Sequence, residues 1–147
     1  MSDRTPILEA VILGAPRGKG RPRITRSGHV YTPPKTRSWE SDAASIFRAA
    51  WGRPESLTGP LEVEVKAVKS RRKGDRIPGR FLRTVKPDVD NVVKAALDAL
   101  QKSEVIKDDA HVSIVHAISL HTAEGEQPCV EVRVWKLESV ECEEVAA

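Results

Sequence analysis

Residues 86–112 read KPDVDNVVKAALDALQKSEVIKDDAHV and join a predicted amphipathic helix to a second acidic pair. Apolar residues recur at three- and four-residue intervals after Asp88, which is the spacing of one helical face. Pro87 disfavours helical geometry at the residue before it, so we expect the helix to begin between Asp88 and Asp90. The Asp108–Asp109 pair directly precedes an alternating apolar stretch that predicts a strand.

The sequence on either side of this stretch predicts four further elements. In chain order the predicted elements are a strand at 7–13, a helix at 39–51 capped by Ser38, a strand at 61–67, the helix already described, and strands at 111–120 and 130–135. The residues expected to point inward from the strand at 111–120 are Val112, Ile114, Ile118 and Leu120. Turn-forming residues between the last two strands favour an antiparallel hairpin.

The order β-α-β-α-β-β predicts an α/β (α+β) fold. We expect a single two-layer domain over residues 1–147, with a mixed or antiparallel sheet and both helices packed on one face. We also expect a basic loop at 70–86 and an acidic C-terminal tail from about residue 138.

Positive charge is concentrated in two segments of the chain. Residues 16–37 contain seven Lys or Arg and no acid, and residues 66–86 contain nine against one acid, whereas the remaining 104 residues carry 8 basic and 20 acidic side chains. Dense cations in Gly- and Pro-containing loops suit a phosphate backbone, although one such loop alone could simply be a solvated surface. The predicted DNA-binding residues are Arg17, Lys19, Arg21, Arg23, Arg71, Arg72, Lys73, Arg76 and Lys86.

The acidic residues form two pairs, Asp88 with Asp90 and Asp108 with Asp109. A single aspartate at a helix start is ordinary capping, but four carboxylates would meet if packing placed the start of the helix beside the start of the following strand. Such a cluster requires protons or cations, and oxygen ligands without Cys or paired His favour Mg²⁺, with Mn²⁺ as the alternative. A water bound to that ion is the expected nucleophile.

Lys94 lies one helical turn after Asp90 and could contact a phosphate as charge develops. The alternative interpretation is an ion pair with Asp90 or Asp98 on a solvated helix face. For Asp98 itself we favour a structural ion pair, with Lys94 or Lys102 as its partner.

Other chemistries find no support in the sequence. No run of 18 apolar residues could span a membrane, and the N-terminus lacks the layout of a secretory signal. Cys129 and Cys142 form no metal-binding or disulfide pattern, and the four His have no zinc-ligand spacing. The pattern of a phosphate-binding P-loop is absent as well.

The pattern D-x-D-N-x-x-K followed by D-D resembles the signature of the RusA family of Holliday junction resolvases, found in bacteria, prophages and phages. The matching residues are Pro87, Asp88, Asp90, Asn91, Lys94, Asp98, Leu100, Asp108, Asp109 and Val112. The resemblance implies Mg²⁺ bound by Asp88, Asp90 and Asp109, with Asp108 as a supporting ligand and Lys94 as the catalytic lysine. It also implies a homodimer that places paired symmetric nicks in a four-way junction.

The expected function is therefore a Mg²⁺-dependent, structure-selective DNA endonuclease acting in recombination and repair. We expect a cytoplasmic protein, either bacterial or encoded by a phage and acting in the host cytoplasm, with no membrane partner. Two alternatives remain open from the sequence: a non-catalytic DNA-binding accessory protein, or a nuclease that prefers flaps or forks. Val92, where Leu is usual in the family, and the absence of Gly before Val105 are departures that touch no proposed ligand.

Overall fold

The computed structural model describes residues 4–19, 23–31 and 33–139. Its strands are β1 (Leu8–Leu13), β2 (Arg23–Ile24), β3 (Val30–Tyr31), β4 (Leu61–Lys69), β5 (Phe81–Leu82), β6 (Val112–His121) and β7 (Cys129–Lys136). The helices are α1 (Pro34–Trp51) and α2 (Val89–Lys102), and a single 3₁₀ turn (Asp109–His111) precedes β6. The predicted α+β fold with a mixed sheet is confirmed.

Five strands form the main sheet in the order β1-β7-β4-β6-β5, while β2 and β3 form a separate small hairpin. The predicted hairpin between β6 and β7 is wrong, because β4 lies between them and pairs with both. The segment β4–α2–β6 is a strand–helix–strand crossover, which brings β6 parallel to β4. α2 therefore runs back along the sheet before β6 begins.

The hydrophobic core fills the space between the two helices and one face of the sheet. Its largest fully buried side chains include Phe47 of α1, Leu61 of β4 and Leu100 of α2. α2 contributes three buried alanines, Ala95, Ala96 and Ala99, whose small side chains permit close approach to neighbouring elements.

Two local predictions are wrong. α1 begins at Pro34 with Pro33 as its N-cap residue rather than at Ser38, and a proline at the first helical position has no N–H group to leave unpaired. Of the residues expected to point inward from β6, only Val112 packs against the core. Ile114, Ile118 and Leu120 pair with Glu62, Lys66 and Val68, on the sheet face away from the core residue Val63, and Ile114 is 43% exposed. A register shift between Leu61 and Glu62 reverses the inward alternation that the sequence of β6 suggests.

Across the described residues, no helix combines the length and the apolar character that a membrane crossing requires. The acidic tail predicted from about residue 138 falls largely at 140–147, outside the described residues.

Candidate nuclease site and nucleic-acid interface

Asp88 and Asp90 lie at the N-terminal end of α2, as the sequence predicts. Asp88 is the N-cap residue, but its side chain makes no capping hydrogen bond. Its carboxylate lies 3.2 Å from Lys86 Nζ, and its side chain is 51% exposed. Asp90 is also exposed, and both aspartates line a shallow pocket of about 240 Å³ together with Arg83 and Ser119. Both carboxylates can therefore be reached by a ligand.

Asp108 and Asp109 lie beyond the opposite end of α2. The Asp108 carboxylate accepts a hydrogen bond from the Ala110 backbone N–H at 2.9 Å, which lowers the pKa of Asp108. Asp109 is exposed, but local desolvation and the neighbouring carboxylates of Asp108 and Asp98 raise its pKa. The backbone N–H of Asp109 donates to the Gln101 side chain at 3.0 Å, which fixes this turn to the last turn of α2.

The two acidic pairs do not meet within one chain, so the predicted cluster of four carboxylates is wrong for the single protomer. α2 has 14 residues and is therefore about 21 Å long. Ser119, which shares the pocket of Asp88 and Asp90, is seven residues after Val112, or roughly 23 Å along an extended strand. Because β6 runs back beside α2, the start of the helix lies near the end of the strand and far from its beginning.

Within one chain, the described residues therefore do not form a complete Mg²⁺ site. They contain no group of three or more His, Cys, Asp or Glu side chains that could hold a metal ion. One chain instead presents two separated acidic pairs, one at each end of α2.

Lys94 is exposed on α2, and within the described part of the chain the ion pairs closer than 4.0 Å do not include it. The alternative of an ion pair with Asp90 or Asp98 is therefore not realised. Asp98 does make a structural ion pair, but its partner is Lys19, whose Nζ lies 2.5 Å from the Asp98 carboxylate. The partners expected for Asp98, Lys94 and Lys102, were wrong, because the sequence does not reveal that the loop after β1 (described over residues 14–19), which we call the first basic loop, lies against α2.

Lys19 has a structural role, while the DNA contact expected for it stays a prediction. Its ammonium group bridges Asp98 of α2 and Glu40 of α1, the second at 2.9 Å. Burial lowers the pKa of Lys19, but the two carboxylates outweigh that effect and raise the pKa above its ordinary value. Glu40 is only 8% exposed, so its charge depends on this partner.

Lys19→Met should lower stability while leaving the salt dependence of DNA binding unchanged. Removing Lys19 leaves the buried Glu40 carboxylate without its ion-pair partner, which lowers the free energy of unfolding by an amount on the order of 1–3 kcal/mol. Thermal unfolding and a salt titration of junction affinity measure the two effects. Arg17→Met is the matched control, because Arg17 is exposed, and we expect it to flatten the salt dependence without lowering the melting temperature. If Lys19→Met reduces the salt dependence of junction affinity, Lys19 contacts DNA.

A groove of about 420 Å³ runs from the first basic loop to the start of α2, and we call it the basic groove. Its cationic residues are Arg17, Lys19, Lys35, Lys69 and Lys86, and it also reaches Asp88 and Asn91. Lys35 and Lys69 were not among the predicted DNA-binding residues, although both belong to the basic segments that the charge distribution identifies.

The first loop is held against α2 by backbone contacts. The Lys19 N–H donates to the Asn91 carbonyl at 3.0 Å. A side chain at Gly18 would place its Cβ 3.1 Å from the Asn91 Cβ, so this close approach depends on glycine. The same packing sets the basic groove beside the first turn of α2, where Asp88 and Asp90 lie.

In the second basic loop, the predicted DNA-binding residues divide into two kinds. Arg72, Lys73 and Arg76 are exposed, whereas the Arg71 guanidinium donates to the Ile77 carbonyl and lies 5.6 Å from the centre of the Phe81 ring. Arg71 therefore organises the loop from within. At the other end of the loop, Arg80 pairs with Glu126 and Glu131, and their hydrogen bonds raise its pKa.

The remaining predicted DNA-binding residues are placed as follows. Arg23 is exposed in β2, Lys86 has an 85% exposed side chain beside Asp88, and Arg21 lies outside the described residues. Among these residues, Lys86 lines the basic groove together with Asp88, so it connects the groove to the acidic pair.

Comparison with known proteins gives consistent matches. The family model for endodeoxyribonuclease RusA matches residues 14–135, which include both acidic pairs and both basic loops. The uncharacterized protein YqaN of Bacillus subtilis (strain 168) is 33% identical over 140 residues, covering 86% of this chain and 94% of that protein. The crossover junction endodeoxyribonuclease RusA of Aquifex aeolicus (strain VF5) is 26% identical over 98 residues, covering 63% of this chain and 64% of that protein. The chain described above belongs to the RusA endodeoxyribonuclease family.

Proposed function

We propose that this RusA-family protein is a divalent-metal-dependent endonuclease that resolves four-way DNA junctions, with Mg²⁺ as the ion and Mn²⁺ as a substitute. The observation that carries the proposal is the basic groove, whose cations lead to the accessible carboxylates of Asp88 and Asp90. Cations there can hold phosphates by backbone contacts that are independent of base sequence. The name of the Aquifex relative, a crossover junction endodeoxyribonuclease, supports the choice of substrate.

We further propose that the catalytic unit is a homodimer in which Asp109 of the partner subunit, supported by its Asp108, meets Asp88 and Asp90. Each chain carries one acidic pair at either end of α2, and a two-fold axis can align two such helices in opposite directions. The start of α2 in one subunit then lies beside the end of α2 in the other subunit, which yields two equivalent sites. Two equivalent sites are what paired symmetric nicks require.

β6 offers a surface for this second copy. Ile114 and Val115 are 43% and 42% exposed, which is unusual for paired positions in the body of a sheet. In the described part of the chain, β5 pairs with β6 only at Leu120 and His121, so most of the outer edge of β6 has no neighbouring strand. A free edge with apolar side chains favours association with another chain.

A panel of DNA substrates tests the proposed activity. The purified protein is incubated with a four-way junction, a flap, a fork and a plain duplex of the same sequences, with and without Mg²⁺. We expect Mg²⁺-dependent nicks at symmetric positions in the junction and no cleavage of the duplex. Junction binding without cleavage in either Mg²⁺ or Mn²⁺ would identify a DNA-binding accessory protein, and preferential cutting of the flap or fork would overturn the assignment of substrate.

Replacing Arg72 and Lys73 together by Ala should weaken junction binding and reduce its salt dependence. Each lost phosphate contact lowers the slope of log K against log salt by about 0.9, so two contacts remove roughly 1.8. Affinity measured by fluorescence anisotropy between about 50 and 200 mM salt gives the slope. The control is the double variant Lys107→Ala/Lys136→Ala, which removes the same charge from exposed positions outside the two basic loops. Equal slopes for the loop variant and the wild type would mean that these two side chains do not touch DNA.

A further inference from the structure

The three residues that precede Asp88 form a turn whose carbonyls are all held by cationic side chains. Arg83 Nη1 donates to the Val85 carbonyl and, at 2.8 Å, to the Pro87 carbonyl. Lys69 Nζ donates to the intervening Lys86 carbonyl at 2.7 Å. No backbone acceptor of the turn is left to solvent, so the position of Asp88 is determined by these two side chains.

Arg83 is unusual among the cations of this region because it is buried. It is 5% exposed, whereas Arg72, Lys73 and Lys86 are all exposed. Its backbone N–H donates to the Ser119 carbonyl at 3.0 Å, which fixes the residue to β6. Burial lowers the pKa of Arg83 below its ordinary value.

No carboxylate in the described residues forms an ion pair with Arg83, and its Nε and Nη2 atoms are buried without a hydrogen-bond partner there. A buried guanidinium that has no ion pair, and of which two nitrogen atoms lack a hydrogen-bond partner, is costly to a fold. An apolar side chain would fill the same space at lower cost if packing were its only role. Arg83 lines the same pocket as Asp88 and Asp90 but forms no ion pair with either carboxylate.

We infer that Arg83 is a positioning residue, which holds the turn of Val85–Pro87 so that Asp88 and Asp90 keep the spacing needed for catalysis. The inference rests on the proposed nuclease function and assigns to Arg83 no contact with DNA. Its buried guanidinium acts through the carbonyls of the turn, to which it donates from Nη1.

The test compares full-length wild type with Arg83→Met and Arg83→Lys, since lysine keeps the charge and can still donate to a carbonyl of the turn. Arg80→Met is the matched control, because it removes an arginine that also anchors a loop but bonds Glu126 and Glu131 instead. Four quantities are measured: single-turnover junction cleavage in Mg²⁺, junction affinity without metal, the melting temperature, and amide hydrogen exchange of folded protein. The Val92 amide reports on the first turn of α2, since it donates to the Asp88 carbonyl, and the Ser103 amide reports on the last turn.

We expect Arg83→Met to slow cleavage by about 10²-fold with an unchanged dissociation constant, and Arg83→Lys to recover part of that loss. Exchange at Val92 should rise about ten-fold in Arg83→Met, while exchange at Ser103 stays within two-fold of wild type. Arg80→Met should lower the melting temperature without a selective change at Val92.

Weaker junction binding by Arg83→Lys would make Arg83 a DNA contact and overturn the inference. Equal acceleration of exchange at Val92 and Ser103, with normal cleavage per folded molecule, would reduce Arg83 to a packing role. If Arg83→Met does not fold, the same criteria apply to Arg83→Lys. A wild-type protein that cleaves no substrate would refute the proposed function, whereas the exchange measurements would still decide whether Arg83 holds the turn.

Discussion

Asp90→Asn should abolish cleavage of a four-way junction while leaving the junction affinity unchanged or higher. The amide keeps the shape of the carboxylate but removes its charge, and Mg²⁺ binds charged oxygen ligands far better than neutral ones. We expect a loss of at least about 10³-fold in the single-turnover rate, since a Mg²⁺ held at the proposed site would supply both the nucleophile and the charge stabilisation. Removing a negative charge beside the basic groove also reduces repulsion of DNA phosphates.

Asp42→Asn is the matched control for this variant. Asp42 is likewise an exposed aspartate on a helix, and the substitution makes the same change in net charge. We expect it to cleave at a rate within about three-fold of wild type. Gel-shift titrations without metal and quenched cleavage assays with Mg²⁺ separate binding from catalysis. Rapid cleavage by Asp90→Asn in Mg²⁺ would remove Asp90 from the mechanism.

Asp109→Asn should be as inactive as Asp90→Asn, even though α2 separates the two residues in one protomer by about 20 Å. The proposed homodimer gives the reason, because Asp109 of each subunit completes the acidic pair of the other. In the free chain, local desolvation together with the carboxylates of Asp108 and Asp98 raises the pKa of Asp109. A nearby divalent ion would relieve the repulsion between these carboxylates.

The control for Asp109→Asn is Glu104→Gln, which neutralises an exposed acid in the connection between α2 and the 3₁₀ turn. Both variants are assayed for cleavage, for junction affinity and for the melting temperature. We expect the control to retain cleavage and both variants to retain the melting temperature within a few degrees, because neither side chain is buried. Normal cleavage by Asp109→Asn would mean that Asp109 is not part of the site, which would then contain only the carboxylates of Asp88 and Asp90.

Local sequence patterns were sufficient for the elements that carry the site. Pro87 and the apolar spacing that follows locate the start of α2 within one residue, and the helix places Asp88 and Asp90 on its first turn. Alternation in residues 61–67 identifies β4, which pairs with two neighbours in the sheet. These features depend on interactions between residues close in sequence, so the chain encodes them directly.

Contacts between distant segments could not be derived from the same patterns. The return of β6 beside α2 separates the acidic pairs, and only the tertiary arrangement of the crossover reveals it. Similarly, Lys19 looks like a surface cation in its loop, yet Asp98, 79 residues away, pairs with it. The buried position of Arg83 is also hidden by its basic surroundings, which suggest one more solvent-exposed arginine.

Mixing the two inactive variants tests the shared site most directly. Asp90→Asn and Asp109→Asn chains are co-expressed with different tags, and the mixed dimers are purified through both tags. If each site combines Asp90 of one subunit with Asp109 of the other, one site of the mixed dimer carries both substitutions and the second site carries neither. The mixed dimer therefore has one intact site. We predict that the mixed dimer nicks a single strand of the junction per binding event, while each pure variant nicks none. A mixed dimer as inactive as its parents would contradict the account, because it would show that both aspartates act within one chain.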